Sequence, residues 1–289
     1  MQIDPVIHEW QPLNREMACT LGDVRLQAHW ALQTVAAAGR ALVEPQSDDS
    51  HTSATWIDPV RVLSGGEMKG GLHVGLQLPD LAVVLLDVTG VLLDRFPLEG
   101  KTLAQAFAWL AEAIPKITGS PVESKLAVPD YELPPHPVGT GEPFHRVSPE
   151  QLEELSRWYA NAALVWHAVG EEYREASPVR CWPHHFDIAT LITFDRDEPD
   201  AEKARSIGCG MSPGDSGCEE PYFYINPWPP PDLSAAPSLA GGGRWHTEGW
   251  KGAMLRASDL ESGADAAGQA AQVLAFAESA LSIEKSLLR

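Results

Sequence analysis

Apolar side chains recur every three or four residues along several stretches of the chain, which is the spacing that gathers them on one face of an α-helix. This spacing predicts long helices over residues 21–42 and 148–173, and a closing helix over about 264–288. A shorter helix is expected from about Lys101 to Ile114. Each half of the chain is therefore expected to contain a long helix near its start and another helix towards its end.

Strand-like runs lie between these predicted helices. Residues 71–78 alternate apolar and polar side chains, and residues 81–88 are almost continuously apolar, as in a strand buried on both faces. Further strands are expected at 186–194, 206–211, 222–225 and 253–257. Runs of strands flanked by helices, without regular alternation of strand and helix, predict an α+β fold with a mostly antiparallel sheet.

A proline-rich stretch divides the chain. Seven prolines between residues 115 and 147 bar a long helix or a central strand there, which predicts an extended linker on the surface. We therefore expect an N-terminal part, residues 1–147, and a C-terminal part, residues 148–289. The shared order of helix, strands and helix indicates an internal duplication. The alternative is that this common order arose by chance, and the sequence leaves both open.

The balance of charge excludes several classes of partner. The 289 residues carry 21 Lys and Arg against 40 Asp and Glu, a net charge of −19. Such a surface repels nucleic acid and anionic lipid. The longest apolar run, residues 81–93, is too short to span a bilayer, and the start has no basic segment of a signal peptide. These features predict a cytoplasmic protein. Its four cysteines, none in a CxxC pair, are expected to be free thiols.

Residues capable of chemistry concentrate in the second half. Six of the ten tryptophans lie there, and polar side chains cluster in residues 181–187, 208–215 and 245–250. Aromatic walls around a few polar groups are typical of small-molecule pockets. The alternative is that the large aromatic side chains fill the core.

One combination of these residues matches a metal site. On a strand, alternation would place His185 and Asp187 on one face, and His246 would add a second imidazole. Two histidines and one carboxylate hold iron(II), and the same ligands suit zinc. His184 would orient a ligand from outside the coordination shell. Glu248 or Asp215 would then serve as the general base.

Arg256 and Ser258 follow His246, and this part of the chain resembles the iron/2-oxoglutarate oxygenases. The resemblance implies that Arg256 and Ser258 bind 2-oxoglutarate as cosubstrate. The chain shows too few strands between the ligands for the double-stranded β-helix of that superfamily. 2-Oxoglutarate is therefore the less favoured cofactor, after iron(II) or zinc alone.

A second resemblance covers more of the chain. The motifs WPHHFD at residues 182–187, SPG at 212–214 and EPYFY at 220–224, followed by the closing helix, are similar to an uncharacterised family of bacterial proteins of about this length. The resemblance spans roughly residues 181–280. It implies a shared fold and no particular activity, and the family lacks a firm counterpart of His246.

Two functional hypotheses follow. The first is a metal-dependent enzyme that acts on a small molecule through the residues named above. The second is a non-catalytic protein that binds a small ligand or assembles with further copies of itself, in which the histidines form a hydrogen-bonded corner and the aromatic side chains form a core or a subunit interface. Only the enzyme hypothesis requires His246 to lie beside His185.

Overall fold

The structure of the protein is a computed structural model that describes residues 3–198, 200 and 203–288. The chain forms two compact units. Unit 1 comprises Met1–Thr20, Arg157–Val179 and Asp187–Arg289, and unit 2 comprises Leu21–Ser156 and Arg180–Phe186. The division into domains at residues 147 and 148 stays a prediction; in the structure residues 3–20 belong to the same unit as most of the C-terminal part of the chain.

The described residues contain six α-helices and eleven strands. The helices are α1 (Ile3–Glu9), α2 (Arg15–Ala18), α3 (Gly22–Leu42), α4 (Leu103–Thr118), α5 (Pro149–Glu172) and α6 (Ala266–Leu287). The strands are β1 (Ala54–Ile57), β2 (Val62–Gly65), β3 (Leu72–Gln77), β4 (Ala82–Asp87), β5 (Leu92–Pro97), β6 (Arg180–Trp182), β7 (Asp187–Thr193), β8 (Ser206–Ser212), β9 (Tyr222–Trp228), β10 (Arg244–His246) and β11 (Gly252–Arg256).

Unit 2 is built on six strands in the order β6-β1-β2-β3-β4-β5. The helix α3 packs against β2, β3 and α4. Its apolar stripe is buried, as the three-and-four spacing requires; the buried stripe includes Val24, Ala28, Ala31 and Val35. The strand β4 is buried along almost its whole length, which explains its continuous apolar sequence.

Unit 1 is built on five strands in the order β7-β8-β9-β11-β10, with α6 packed against β8, β9 and β11. Its core centres on Phe223, which is fully buried. The rings of Trp10, Trp158 and Trp166 lie 6.5, 5.6 and 6.1 Å from the Phe223 ring, centre to centre. These tryptophans therefore fill the core of unit 1, as the alternative interpretation of the aromatic residues expected.

The first residues of the chain are held in unit 1 by one buried side chain of α6. The Gln269 carboxamide accepts hydrogen bonds from the Leu13 N–H at 2.8 Å and the Trp10 indole at 3.3 Å. It also donates to the Leu13 carbonyl at 2.9 Å. Since a buried backbone group without a partner is costly, this side chain fixes the path of residues 10–13.

The predicted α+β class is confirmed. Among the described residues, every strand pairing within either unit is antiparallel. Within the same residues, no helix combines the length and the apolar character needed to cross a membrane. The four cysteines are free thiols, as expected.

The internal duplication stays a prediction. In both halves of the chain a long helix, several strands and a closing helix follow in that order. In unit 2 the strands β1–β5 pair with their neighbours in sequence, and in unit 1 β7, β8 and β9 do so, as do β10 and β11. The strand β11 then lies between β9 and β10, so the last two strands follow a different connection.

The proline-rich stretch holds no long helix, as predicted. Helix α4 runs past the expected end at Ile114, includes Pro115 in its last turn, and stops at Thr118. From residue 119 to 148 the only helical segment is the 3₁₀ turn Pro137–Thr140. The stretch is anchored by buried side chains as well as lying on the surface; these are Leu126, Val138 and Phe144.

Candidate functional site

Two tyrosines of β9 project from the face of the unit 1 sheet opposite the core. Successive side chains of a strand point to opposite faces, so Tyr222 and Tyr224 flank Phe223 and point away from it. Phe223 is directed into the tryptophan core, which fixes the orientation of both tyrosines. Together with Asp187, Asp215 and Trp250, the two tyrosines form what we call the tyrosine–carboxylate cluster.

Tyr224 reaches across β8 to a carboxylate on β7. Its hydroxyl donates a hydrogen bond of 2.5 Å to Asp187 Oδ2. The register places Gly210 of β8 directly opposite Tyr224, and a Cβ at Gly210 would lie 2.3 Å from the Tyr224 Cζ and Oη atoms. The missing side chain of Gly210 is therefore the space through which the tyrosine reaches Asp187.

Tyr222 donates its hydroxyl to the second carboxylate of the cluster, Asp215. Asp215 lies in the loop after β8 and also accepts the N–H groups of Gly217 at 2.7 Å and Cys218 at 2.9 Å. All these donors are neutral, so the hydrogen bonds hold the carboxylate in place and leave its negative charge uncompensated. Asp215 is exposed to solvent.

The loop after β10 closes the cluster with an indole ring. Trp250 stacks on Tyr222 with ring centres 6.5 Å apart, and it meets Tyr224 edge-on at 6.2 Å. The His246 imidazole lies 4.3 Å from the Trp250 ring and donates from Nε2 to the Glu248 carbonyl at 2.7 Å. The result is a contiguous group of aromatic rings in which the two tyrosine hydroxyls bond the Asp187 and Asp215 carboxylates.

Burial keeps both tyrosines protonated. Burial of the hydroxyl, followed by the neighbouring Asp187 carboxylate, raises the pKa of Tyr224 well above its usual value. Burial and the bond to Asp215 likewise raise the pKa of Tyr222. Each tyrosine is thus a neutral hydrogen-bond donor at physiological pH, and the negative charge of the pairs resides on the carboxylates.

Arg256 and Ser258 are engaged with acidic side chains of the same chain. Arg256 pairs with Asp259 at 3.1 Å and lies 3.8 Å from the Glu220 carboxylate. Ser258 donates its N–H at 2.6 Å and its hydroxyl at 2.7 Å to Glu220. The two side chains proposed to bind 2-oxoglutarate therefore already hold carboxylates supplied by residues 220 and 259.

His184 and His185 lie in a turn before β7, and not within a strand as the alternation argument assumed. The N–H groups of His185 and Phe186 both reach back to the Trp182 carbonyl, at 3.3 and 2.7 Å. Because the chain turns here, the two imidazoles come together, with ring centres 4.3 Å apart. Both are exposed. We call residues 182–186 the histidine turn.

Buried polar groups of α3 hold this turn in place. His29 donates from Nε2 to the Pro183 carbonyl at 2.8 Å, and the Gln33 carboxamide donates to the same oxygen at 2.9 Å. Burial lowers the pKa of His29 to about 4, so its imidazole is neutral at physiological pH. Phe186 stacks on His29 and has a left-handed backbone with φ 58°, which is unfavourable for a residue other than glycine.

The predicted residues fall into both units. Asp187, Asp215 and His246 belong to unit 1, where both carboxylates are members of the tyrosine–carboxylate cluster and His246 contacts its Trp250. His185 belongs to unit 2. Within the described ranges, no group of three or more His, Cys, Asp or Glu side chains is arranged to hold a metal ion. The shared metal site of His185, Asp187 and His246 stays a prediction.

Sequence reasoning did not identify the tyrosines as site residues. The signal was present in the order Tyr-Phe-Tyr at residues 222–224, because alternation sends the outer two side chains to the face opposite the central one. What the sequence alone did not reveal was the partner of each hydroxyl. Those pairings depend on the register of β7, β8 and β9.

Comparison of the chain with models of protein families, with curated proteins and with solved structures found no match.

Proposed function

We propose that this protein binds a small organic cation at the tyrosine–carboxylate cluster. The observation that supports the proposal is that Tyr222 and Tyr224 each donate to a carboxylate while Trp250 contacts both rings. The proposal develops the hypothesis of a ligand-binding protein. We also propose the cytoplasmic location that the sequence predicts and, on the basis of the net charge of −19, that nucleic acid is not a partner.

The chemistry of the cluster favours a cation over an anion or a neutral ligand. The faces of aromatic rings carry negative charge density and attract ammonium groups, most strongly at tryptophan. Hydrogen bonds from the hydroxyls to carboxylates increase the electron density of both tyrosine rings. The Asp215 carboxylate, which accepts the Tyr222 hydroxyl, is exposed to solvent. The acidic chain as a whole would raise the local concentration of cations.

Titration calorimetry with choline tests this function. The matched ligand is 3,3-dimethylbutan-1-ol, which has the shape of choline and no charge. We expect choline to bind and the alcohol not to bind detectably. Trp250→Leu should weaken choline binding about tenfold, since a cation over an indole contributes roughly 1–2 kcal/mol. Asp215→Asn, which keeps an acceptor for the loop amides, should weaken it several-fold.

The control variant is Trp228→Leu. Trp228 lies on the same strand as the tyrosines and is 47% exposed, but it is not a member of the cluster. The Trp228→Leu variant should leave choline binding unchanged. Circular dichroism should show that each variant is folded. Equal binding of choline and the uncharged alcohol, or choline binding unaffected in folded Trp250→Leu, would contradict the proposal.

The metal-dependent enzyme is the second candidate, and the motif that favours it is the pair of imidazoles in WPHHFD. In this candidate His185, Asp187 and His246 hold iron(II) or zinc, and Glu248 or Asp215 acts as the base. Elemental analysis of the purified protein tests it: one equivalent of iron or zinc, lost in His246→Ala, is the expected result.

A further inference from the structure

The histidine turn presents two imidazoles that contribute little to the packing of unit 2. His184 and His185 are exposed, whereas the residues on either side, Pro183 and Phe186, are buried. Neighbouring side chains on an extended chain would point in opposite directions. Here the turn brings the two rings to 4.3 Å.

Several buried side chains of unit 2 hold the histidine turn in place. Two buried donors, from His29 and Gln33, converge on the Pro183 carbonyl. Gln33 is fixed in turn, because its Oε1 accepts the Tyr131 hydroxyl at 2.6 Å. The left-handed backbone of Phe186 is held by burial of its ring against His29. Local strain maintained by surrounding structure is characteristic of ligand-binding positions.

We propose that the histidine turn binds a divalent transition-metal ion through His184 and His185. Imidazole nitrogens lie about 2.0–2.1 Å from zinc, so two nitrogens on one tetrahedral ion are roughly 3.3 Å apart. Ring centres at 4.3 Å allow that approach after small side-chain rotations. Two protein ligands leave the remaining positions around the ion to water or a small molecule.

This proposal goes beyond cation binding at the tyrosine–carboxylate cluster and requires no residue of unit 1. It also differs from the predicted triad, in which only His185 of the turn is a ligand. The rings of Tyr131 and Trp182 lie 5.9 and 6.1 Å from the His184 ring, centre to centre, at steep angles to its plane. These side chains would limit the directions in which the His184 imidazole can turn.

Copper(II) is the probe for the test, because it binds nitrogen ligands more tightly than the other divalent first-row metals. Protein without an affinity tag is titrated with one equivalent of copper(II) and examined by electron paramagnetic resonance. We expect coupling to two imidazole nitrogens in the wild-type protein and to one nitrogen in His184→Ala and in His185→Ala. Each variant should lose at least about tenfold in affinity.

The control is His8→Ala, which removes an exposed imidazole of α1. It should keep the two-nitrogen signal and the wild-type affinity. Unchanged copper binding in both His184→Ala and His185→Ala would overturn the proposal. The proposal would also be overturned if His185→Ala, Asp187→Asn and His246→Ala each lost copper binding while His184→Ala kept it. That result would support the triad. Circular dichroism confirms that the compared variants are folded.

Discussion

At the scale of single residues, Gly210 has the clearest effect on the candidate site. Tyr224 crosses β8 only because position 210 has no side chain, and its hydroxyl then meets Asp187. A methyl group at this position would overlap the tyrosine ring. The cluster therefore depends on a residue that takes no part in any chemistry.

We expect Gly210→Ala to displace Tyr224 and to lower the free energy of unfolding by about 1–3 kcal/mol, the usual cost of overpacking a buried position. Denaturant unfolding measures this change. The matched control is Gly208→Ala on the same strand, where the new Cβ would meet the end of the Asn226 side chain, which can swing aside. Equal losses in the two variants would argue against a specific role of the Tyr224 crossing.

At the scale of secondary structure, α6 carries a buried carboxyl group. Glu284 is fully buried, and burial raises its pKa to about 9, from 4.5 for an exposed glutamate. The folded protein therefore keeps the proton that the unfolded chain releases above pH 4.5. The contribution of Glu284 to the free energy of unfolding is therefore fully present below pH 4.5. It decreases as the pH rises towards 9, by up to roughly 1.4 kcal/mol per pH unit.

Glu284→Gln removes this titration and keeps the shape of the side chain. The variant should be about as stable as the wild-type protein at pH 5 and more stable by a few kcal/mol at pH 8. Unfolding in urea at both pH values measures the difference. Glu278→Gln, at an exposed position of the same helix, is the control and should show no such gain. A gain that is equal at pH 5 and pH 8 would exclude titration of Glu284 as its cause.

The longest elements were the ones that the sequence predicted well. Helices α3, α5 and α6 span several turns, so their apolar spacing is repeated often enough to be distinctive. Short elements such as α1, β1 and β10 were missed, because three to seven residues hold too few repeats. The histidine turn was assigned to a strand for the same reason. The four residues between β6 and β7 are too few to show whether their side chains follow the spacing of a strand or of a turn.

At the scale of the whole molecule, the net charge of −19 should govern binding of the proposed ligand. Raising sodium chloride from about 50 to 500 mM shortens the Debye length to a few ångströms and screens the acidic surface. Choline affinity should then fall several-fold. Calorimetry at the two salt concentrations measures it. An unchanged affinity would show that only local contacts hold the ligand.

The candidate site was less predictable than the fold. Asp187, Asp215 and His246 were singled out from the sequence, but the link between them is made by Tyr222, Tyr224 and Trp250. Those contacts arise where separate segments meet, and local periodicity carries no information on which strands become neighbours. Gly210 lies in a segment that the sequence predicted to be a strand, but only the register shows that its missing side chain leaves the space for Tyr224.

The hydrogen bonds between Gln269 and the start of the chain have a consequence for the order of events during protein synthesis. Leu13 leaves the ribosome 256 residues before the glutamine that binds it. Until then Trp10 and Leu13 are without that partner, and the apolar side chains around them are open to solvent or to chaperones. Unit 1 is thus completed only when nearly all of these residues have been translated, whereas unit 2 needs nothing beyond Phe186.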